Sequence, residues 1–336
     1  MLDLNSPEVR FAIQAVRRAA KLVREVQQEM VTPALTKDDR SPVTIADYAS
    51  QAQVSRMLLD SFPEDPLVAE EDAGALRSPE ASDTLALITG FVGRYFPQTL
   101  PEEVCAWIDR GSAETASRFW TLDPIDGTKG FLRGDQYAVA LALLVDGEVQ
   151  VAALGCPNLS AGYRPDLGGR GSLLMAAKGQ GAWATTLEEA PFQAADFQPM
   201  IVSDRQDPSQ ARLLRSFVAE HTNVDKVDDL ASLLGVSVEP VRMDSQAKYA
   251  VLAAGHGELY LRLLSPRQPD YREKIWDQAA GALLVQEAGG EVSDLRGAAL
   301  DFTQGRTLAR NRGILASNGR LHEAALRALY VVGASG

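Results

Sequence analysis

Six acidic residues spread from Asp47 to Asp277 set the strongest condition on how this chain can fold. They are Asp47, the pair Glu70-Glu71, Asp123, Asp126 and Asp277. Carboxylates gathered in one place repel each other unless a cation joins them. Hard oxygen ligands of this kind favour Mg²⁺, Mn²⁺ or Ca²⁺ over zinc. At the centre lies Trp120-Thr121-Leu122-Asp123-Pro124-Ile125-Asp126-Gly127-Thr128-Lys129-Gly130-Phe131. Pro124 fixes φ, Gly127 allows close backbone approach, and Thr128 adds a hydroxyl where a helix can begin. A Gly-Thr turn with free backbone N–H groups is a cradle for phosphate. The combination points to Mg²⁺-dependent hydrolysis of a phosphate ester.

Each element has a plainer reading when taken alone. Asp47, expected in the first turn of a helix, is a common dipole-stabilising acid. Glu70-Glu71 reads as a solvated edge, and Asp277 before an apolar helix reads as an N-cap. Their joint occurrence in this order is what changes the interpretation.

Composition narrows the partners. Lys+Arg number 33 and Asp+Glu 45, a net charge of −12, which disfavours nucleic acid and anionic membranes. A phosphate substrate then requires a local reversal of sign, which bound divalent cations provide. Cys105 and Cys156 are far apart and outside any C-x-x-C spacing, as expected for reduced thiols in a cytoplasmic protein. His221, His256 and His322 are too dispersed for a local zinc motif. No apolar run reaches the roughly 20 residues that cross a bilayer. The acidic residues near the start argue against a transit peptide.

Periodicity predicts a first helix over 11–30, opened by Ser6 as N-cap and Pro7 in the first turn. A polar loop over 33–43 precedes a second helix from Ile45 to about Ser61, and Leu67-Val68-Ala69 reads as a strand delivering Glu70-Glu71. Residues 72–118 read as a polar helical excursion, a candidate wall or lid. Phe119 to Leu122 reads as a strand ending at Asp123, and successive hairpins over 137–185 imply an antiparallel sheet. Beyond, the pattern predicts strands at 201–203, 238–243, 259–263 and 314–316. Helices are expected at 208–219, 227–234, 246–254, 277–288 and 321–330. The expected architecture is α/β, a layered α+β sandwich. One unit covers about 1–197 and holds most metal ligands; a second covers 198–336 and supplies Asp277 and the substrate residues.

The residues also carry a family resemblance. Ser41 to Asp47, Glu70-Glu71, Asp123 to Thr128 and Trp276-Asp277 resemble the lithium-sensitive, Mg²⁺-dependent phosphatases that include inositol monophosphatase. Phe119 to Gly134, Gly155-Cys156-Pro157-Asn158, Asp244 to Tyr249 and Glu273 to Asp277 resemble the 3′(2′),5′-bisphosphate nucleotidase branch. The resemblance runs from about Ser41 to Ser317 and implies a layered αβαβα inositol monophosphatase-like fold. It implies that Glu70, Asp123 and the Ile125 carbonyl hold one Mg²⁺, and Asp123, Asp126 and Asp277 a second. A third weak ion near Asp47 and Glu70 makes the count two or three. Thr128, hydrogen-bonded to Asp47, is implied as the proton relay, and Glu71 as a residue orienting the ligands. Backbone N–H groups of Gly127 and Thr128 are expected to hold the phosphate. Ser245 and Lys248, expected on one helix face, join Arg262 and His221 as substrate contacts.

The implied reaction converts adenosine 3′,5′-bisphosphate to AMP and phosphate, with the 2′-phosphate isomer and 3′-phosphoadenylyl sulfate as secondary substrates. Lithium inhibition and a place in disposing of a sulfation by-product are implied as well. The rivals are an inositol phosphate or fructose bisphosphate phosphatase with the same metal chemistry, a non-catalytic nucleotide sensor, and a calcium-binding structural protein. The sequence leaves monomer or homodimer open.

Overall fold

Two sheets and three helical layers alternate in the computed structural model, which describes residues 1–31, 41–160, 164, 166–188, 193–217 and 222–335 and only the backbone of 41–43. The first sheet has seven strands in sequential order. They are β1 (Leu67–Ala69), β2 (Arg118–Asp126), β3 (Ala138–Val145), β4 (Glu148–Cys156), β5 (Ser172–Ala177), β6 (Ala182–Thr186) and β7 (Gln198–Met200). Only β1 and β2 run parallel; the remaining pairs are antiparallel.

Alternation in β3 explains how this sheet serves two cores. Val139, Leu141 and Leu143 join the core beneath α1 (Pro7–Met30) and α2 (Ser41–Ser61). Ala138, Ala140 and Ala142 face the other way, into the central core. That small-residue face admits α7 (Ala247–Ala253) and α8 (Ala279–Glu287). Within α8, a Cβ at Gly281 would fall 2.2 Å from Cδ2 of Tyr249, so this glycine makes room for the ring.

The second sheet lies beyond these helices, in the order β11-β12-β10-β8-β9. Its strands are β8 (Leu213–Arg215), β9 (Val241–Arg242), β10 (Leu259–Arg262), β11 (Glu291–Ser293) and β12 (Ile314–Ser317). Tyr260 and Ala316 point to the central core; Leu261 and Leu315 point outward, beneath α6 (Val224–Leu233) and α9 (His322–Val331). The order helix, sheet, helix, sheet, helix is the layered sandwich expected from sequence. Ser6 caps α1 through Oγ and Pro7 opens it, also as expected.

Several local expectations fail for identifiable reasons. The helix predicted over 208–219 is a 3₁₀ turn, Pro208–Gln210, followed by β8; residues 218 and 219 lie outside those described. Leu213 and Leu214 feed the outer and central cores respectively, and β8 pairs with β10, so tertiary pairing overrides helix propensity. The strand expected at 201–203 lies three residues earlier, as β7, with Pro199 tolerated at the sheet edge. The second helix begins at Ser41, which places Asp47 beyond its first turn. The 72–118 excursion is no lid. Its helices α3 (Ser82–Gly93) and α4 (Pro101–Asp109) pack against α2, and none of its residues lines the central cavity. Among the described residues no helix is long and apolar enough to cross a membrane.

His322 sits buried at the start of α9 between two hydroxyls, each 2.9 Å away. The Ser293 hydroxyl donates to the Asp294 carbonyl, so the network assigns the imidazole proton to Nε2, which donates to Ser293. Burial lowers the His322 pKa, against the opposing pull of Glu291 and Glu323. A folded-state pKa below the unfolded one means that the unfolded chain binds more protons as pH falls. The stability held above the ordinary histidine pKa of about 6.5 is therefore lost as pH falls toward the lower folded value. Urea unfolding should show this loss, and His322→Gln should be weaker than the parent at pH 7.5 but less sensitive between pH 7.5 and 5.5. An unchanged slope in the variant contradicts the assignment.

Candidate active site

The register of β1 and β2 delivers the first acids. Because β1 runs parallel to β2 with Ala69 opposite Leu122, the residues that follow, Glu70 and Asp123, emerge side by side. In a regular strand, Asp123 and Asp126 would point to opposite faces. The pairing with β3 slips between them: Asp123 faces Ala140 and Asp126 faces Ala138, leaving one extra residue on β2. Pro124, without an N–H, sits in this bulge. The bulge brings both aspartates to one cavity of about 400 Å³, together with Glu70, Ile125, Gly127, Thr128, Ser245, Lys248, Arg262 and Asp277.

Helix α2 braces this wall from behind. Ser50 Oγ donates to the Pro124 carbonyl at 3.1 Å, and Gln51 both accepts from the Glu71 amide and donates to the Glu71 carbonyl. Thr128 begins α5 (Thr128–Arg133) and lines the cavity. Asp47 and Glu71 stand behind the lining. The expected Thr128–Asp47 hydrogen bond is not formed: Asp47 Oδ1 is buried with no partner.

Opposite the acids, Ser245 precedes α7 rather than lying on it, which corrects the expectation of one helix face shared with Lys248. Ser245 has a left-handed φ of 70°, a conformation costly for a residue with a Cβ. The following Gln246 amide donates to Asp126 Oδ2 at 2.6 Å. Gly127, at φ 90°, faces this bend; a Cβ there would fall 2.7 Å from that of Ser245. Gln246 was missed by sequence reasoning although it lies inside a recognised motif. Its side chain donates to the Trp276 carbonyl at 2.9 Å and accepts from the Gly281 amide at 3.1 Å, tying Asp126 to the segment that carries Asp277. His221 lies outside the described residues.

The cationic side of the cavity is built on a buried relay. Tyr249 donates to Gln278 at 2.5 Å, Gln278 donates to Glu273 at 2.8 Å, and Glu273 holds Arg262 at 2.9 Å. Arg262 Nη2 is 3.9 Å from Asp277 Oδ2. Lys248 is buried, lies 5.2 Å from the Tyr260 ring centroid, and donates to the Met243 carbonyl. Burial lowers its pKa to about 8, against the pull of Asp126 and Asp244.

Charge crowding is the site's main electrostatic property. Burial, then Glu70, Asp126, Asp277 and Asp47, push the Asp123 carboxyl well above its ordinary range. Burial, then Glu71 and Glu70, do the same to Asp47. Asp277 is raised by burial and by Asp126, Glu273 and Glu70, although Arg262 opposes this. Asp126 is raised by burial against Lys248, Arg262 and the Gln246 amide. Desolvation, Glu71 and Asp126 push Glu70 up to about 7, with Lys274 pulling the other way. Among the described residues, no three His, Cys, Asp or Glu side chains are drawn together as a closed ligand set. The lining acids nevertheless present hard oxygens to one space, and Asp123 Oδ1 is buried without a hydrogen-bond partner. That donor set fits an oxygen-preferring divalent cation.

With this fold and this acidic cavity, the chain belongs to the inositol monophosphatase family, whose model matches residues 4–333. Members of that family are generally Mg²⁺-dependent. Among curated relatives, the 3′(2′),5′-bisphosphate nucleotidase of Schizosaccharomyces pombe is 40% identical, covering 97% of this chain and 95% of its own. The enzyme of the same name from Oryza sativa is 42% identical over 96% of this chain and 93% of its own. Solved structures share the fold. Mycobacterium tuberculosis SuhB has a TM-score of 0.63 at 20% identity, covering 98% of this chain and 97% of its own. An inositol monophosphatase from Anabaena has 0.61 at 23%, covering 96% and 95%.

Repulsion among these acids sets a test on stability. Asp123→Asn should raise the thermal midpoint of the metal-free protein, because it removes a buried acid whose ionisation is opposed by burial and by the neighbouring carboxylates, while weakening the rise produced by Mg²⁺. Differential scanning calorimetry with EDTA and with Mg²⁺ measures both. A variant less stable without metal, with the parent's full response to Mg²⁺, contradicts the electrostatic reading.

Proposed function

We propose that the protein is a 3′(2′),5′-bisphosphate nucleotidase that hydrolyses adenosine 3′,5′-bisphosphate to AMP and phosphate. The 2′-phosphate isomer and 3′-phosphoadenylyl sulfate are its secondary substrates. The observation that carries this reading is one cavity that joins Glu70, Asp123 and Asp126, delivered by the first sheet, with Asp277 and the buried cations Lys248 and Arg262. Near-full-length likeness to enzymes named for this activity supports the substrate.

Glu70, Asp123, the Ile125 carbonyl, Asp126 and Asp277 would hold Mg²⁺, as two ions or three. Bound Mg²⁺ supplies an activated water and neutralises charge on the transferred phosphoryl group and the leaving sugar oxygen. The chain does the rest. Thr128, at the start of α5, holds and passes a proton, with Asp47 as its acceptor once the two approach within hydrogen-bond reach. Amides at Gly127 and Thr128 bind the phosphate oxygens. Lys248 and Arg262 hold the phosphate that is not cleaved, and the Tyr249–Gln278–Glu273 relay fixes the direction of Arg262. Ser245, in the same cavity lining, joins them at that phosphate, and His221 is the nucleotide-contacting residue that the family resemblance implies. Glu71, held by Gln51 through its backbone, orients the acids beside it.

Phosphate release from adenosine 3′,5′-bisphosphate and inositol 1-phosphate, run in parallel with Mg²⁺ and with or without Li⁺, tests the reading. Preference for the nucleotide and inhibition by lithium are expected. Preference for the inositol ester overturns the substrate assignment, and no release from either overturns the enzymatic one. Lys248→Met should raise KM for the nucleotide more than it lowers kcat, since its contact is made equally before and during reaction. A fall in kcat at unchanged KM contradicts that role.

A further inference from the structure

Two segments that carry acids from opposite sides of the cavity meet at one arginine that sequence reasoning did not single out. Arg306 lies in the connection between β11 and β12, within the second unit. Its Nη2 donates to the Ala69 carbonyl, on the residue before Glu70. Its Nη1 donates to the Gly111 carbonyl at 3.1 Å and the Ala113 carbonyl at 3.4 Å. Gly111 in turn accepts from the Ala69 amide at 2.8 Å. The guanidinium thus grips the end of β1 and the loop that flanks it.

The same residue holds the other side. Its carbonyl accepts from the Ile275 amide at 3.2 Å, two residues before Asp277. Its guanidinium stacks 4.8 Å from the Trp276 ring centroid, and Lys274 lies 5.7 Å from that ring. The adjoining Thr307 forms a bridge with Lys274, and the Leu308 amide donates to the Glu273 carbonyl at 2.9 Å. A planar fork can serve several carbonyls at once and stack on an indole; an ammonium cannot do both.

We propose that Arg306 is a positioning residue that sets the spacing between Glu70 and Asp277, and thereby the affinity of the acidic cavity for divalent cations. It fixes the plane of the peptide that leads into Glu70 and the turn that leads into Asp277. It stands outside the cavity lining. Residues that orient metal ligands in this way change metal affinity when replaced. The inference rests on the metal-site reading given above.

Isothermal titration calorimetry of Mg²⁺ into the full chain tests it. Arg306→Ala is expected to weaken Mg²⁺ binding by about 10-fold to 100-fold. Arg306→Lys is expected to recover only part of that loss, and added guanidinium ion to recover part of it in Arg306→Ala. At saturating Mg²⁺, KM for adenosine 3′,5′-bisphosphate should stay near that of the parent. Arg118→Met serves as the structural control: Arg118 pairs with Asp65 at 2.9 Å, at the other end of β1 and β2. This variant should lose stability and keep its Mg²⁺ affinity. Equal Mg²⁺ affinity in parent, Arg306→Lys and Arg306→Ala overturns the proposal while leaving the metal site intact. An equal loss in Arg118→Met also overturns it, by reducing Arg306 to general stability. No Mg²⁺ binding by the parent overturns the metal-site reading and this inference together. If Arg306→Ala does not fold, Arg306→Lys still decides the matter, since parent-like affinity there removes the need for a fork.

Discussion

Like charges crowded into a partly desolvated cavity are the constraint around which this molecule is organised. Left to themselves, Asp47, Glu70, Asp123, Asp126 and Asp277 would separate; the fold holds their backbones in place and their ionisation shifts in response. The confinement has identifiable parts. The parallel pairing of β1 and β2 sets Glu70 beside Asp123. The bulge at Pro124 turns Asp126 to the same side. Gln246 links Asp126 to the Trp276–Asp277 turn. A fold that forces such groups together stores unfavourable energy that a divalent cation relieves, so stability and function pull in opposite directions here.

The same constraint explains how a chain of net charge −12 can accept a phosphorylated substrate. The cations that matter are few and buried. Lys248 and Arg262 face the acids across the cavity, and Arg262 is locked by Glu273, itself held through Gln278 by Tyr249. These partners lie in the layer between the sheets or at its border. The central helices therefore act as more than a spacer: they fix cationic groups that must face an acidic wall on the first sheet.

Much of this was legible in the sequence, because the acids are bound to short rigid strings. Asp123-Pro124-Ile125-Asp126-Gly127-Thr128 announces its chemistry by residue type and spacing, and the alternation in 137–185 announces its hairpins. What stayed hidden depends on contacts distant in sequence. Nothing local distinguishes Arg306 from the other arginines, because its hydrogen-bond acceptors are carbonyls, which carry no sequence signal, and the ring it stacks on is 30 residues away. Gln246 sat in a recognised motif, yet its three hydrogen bonds are visible only once α7 and α8 are packed. Ser245 reads as helical in the sequence because a left-handed serine is rare and periodicity cannot announce it. The strand β8 reads as helix in the sequence because two leucines in a short run fit either period. The fold thus followed from patterns, while the supports of the site followed from packing.

Anomalous diffraction from crystals grown with Mn²⁺ and AMP tests the central claim most directly. The account predicts strong peaks inside the cavity, ligated by Glu70, Asp123, Asp126 and Asp277, with the nucleotide phosphate facing Lys248 and Arg262. Peaks confined to the surface, or an ordered nucleotide bound with its phosphate turned away from the acids and no metal between them, would contradict it.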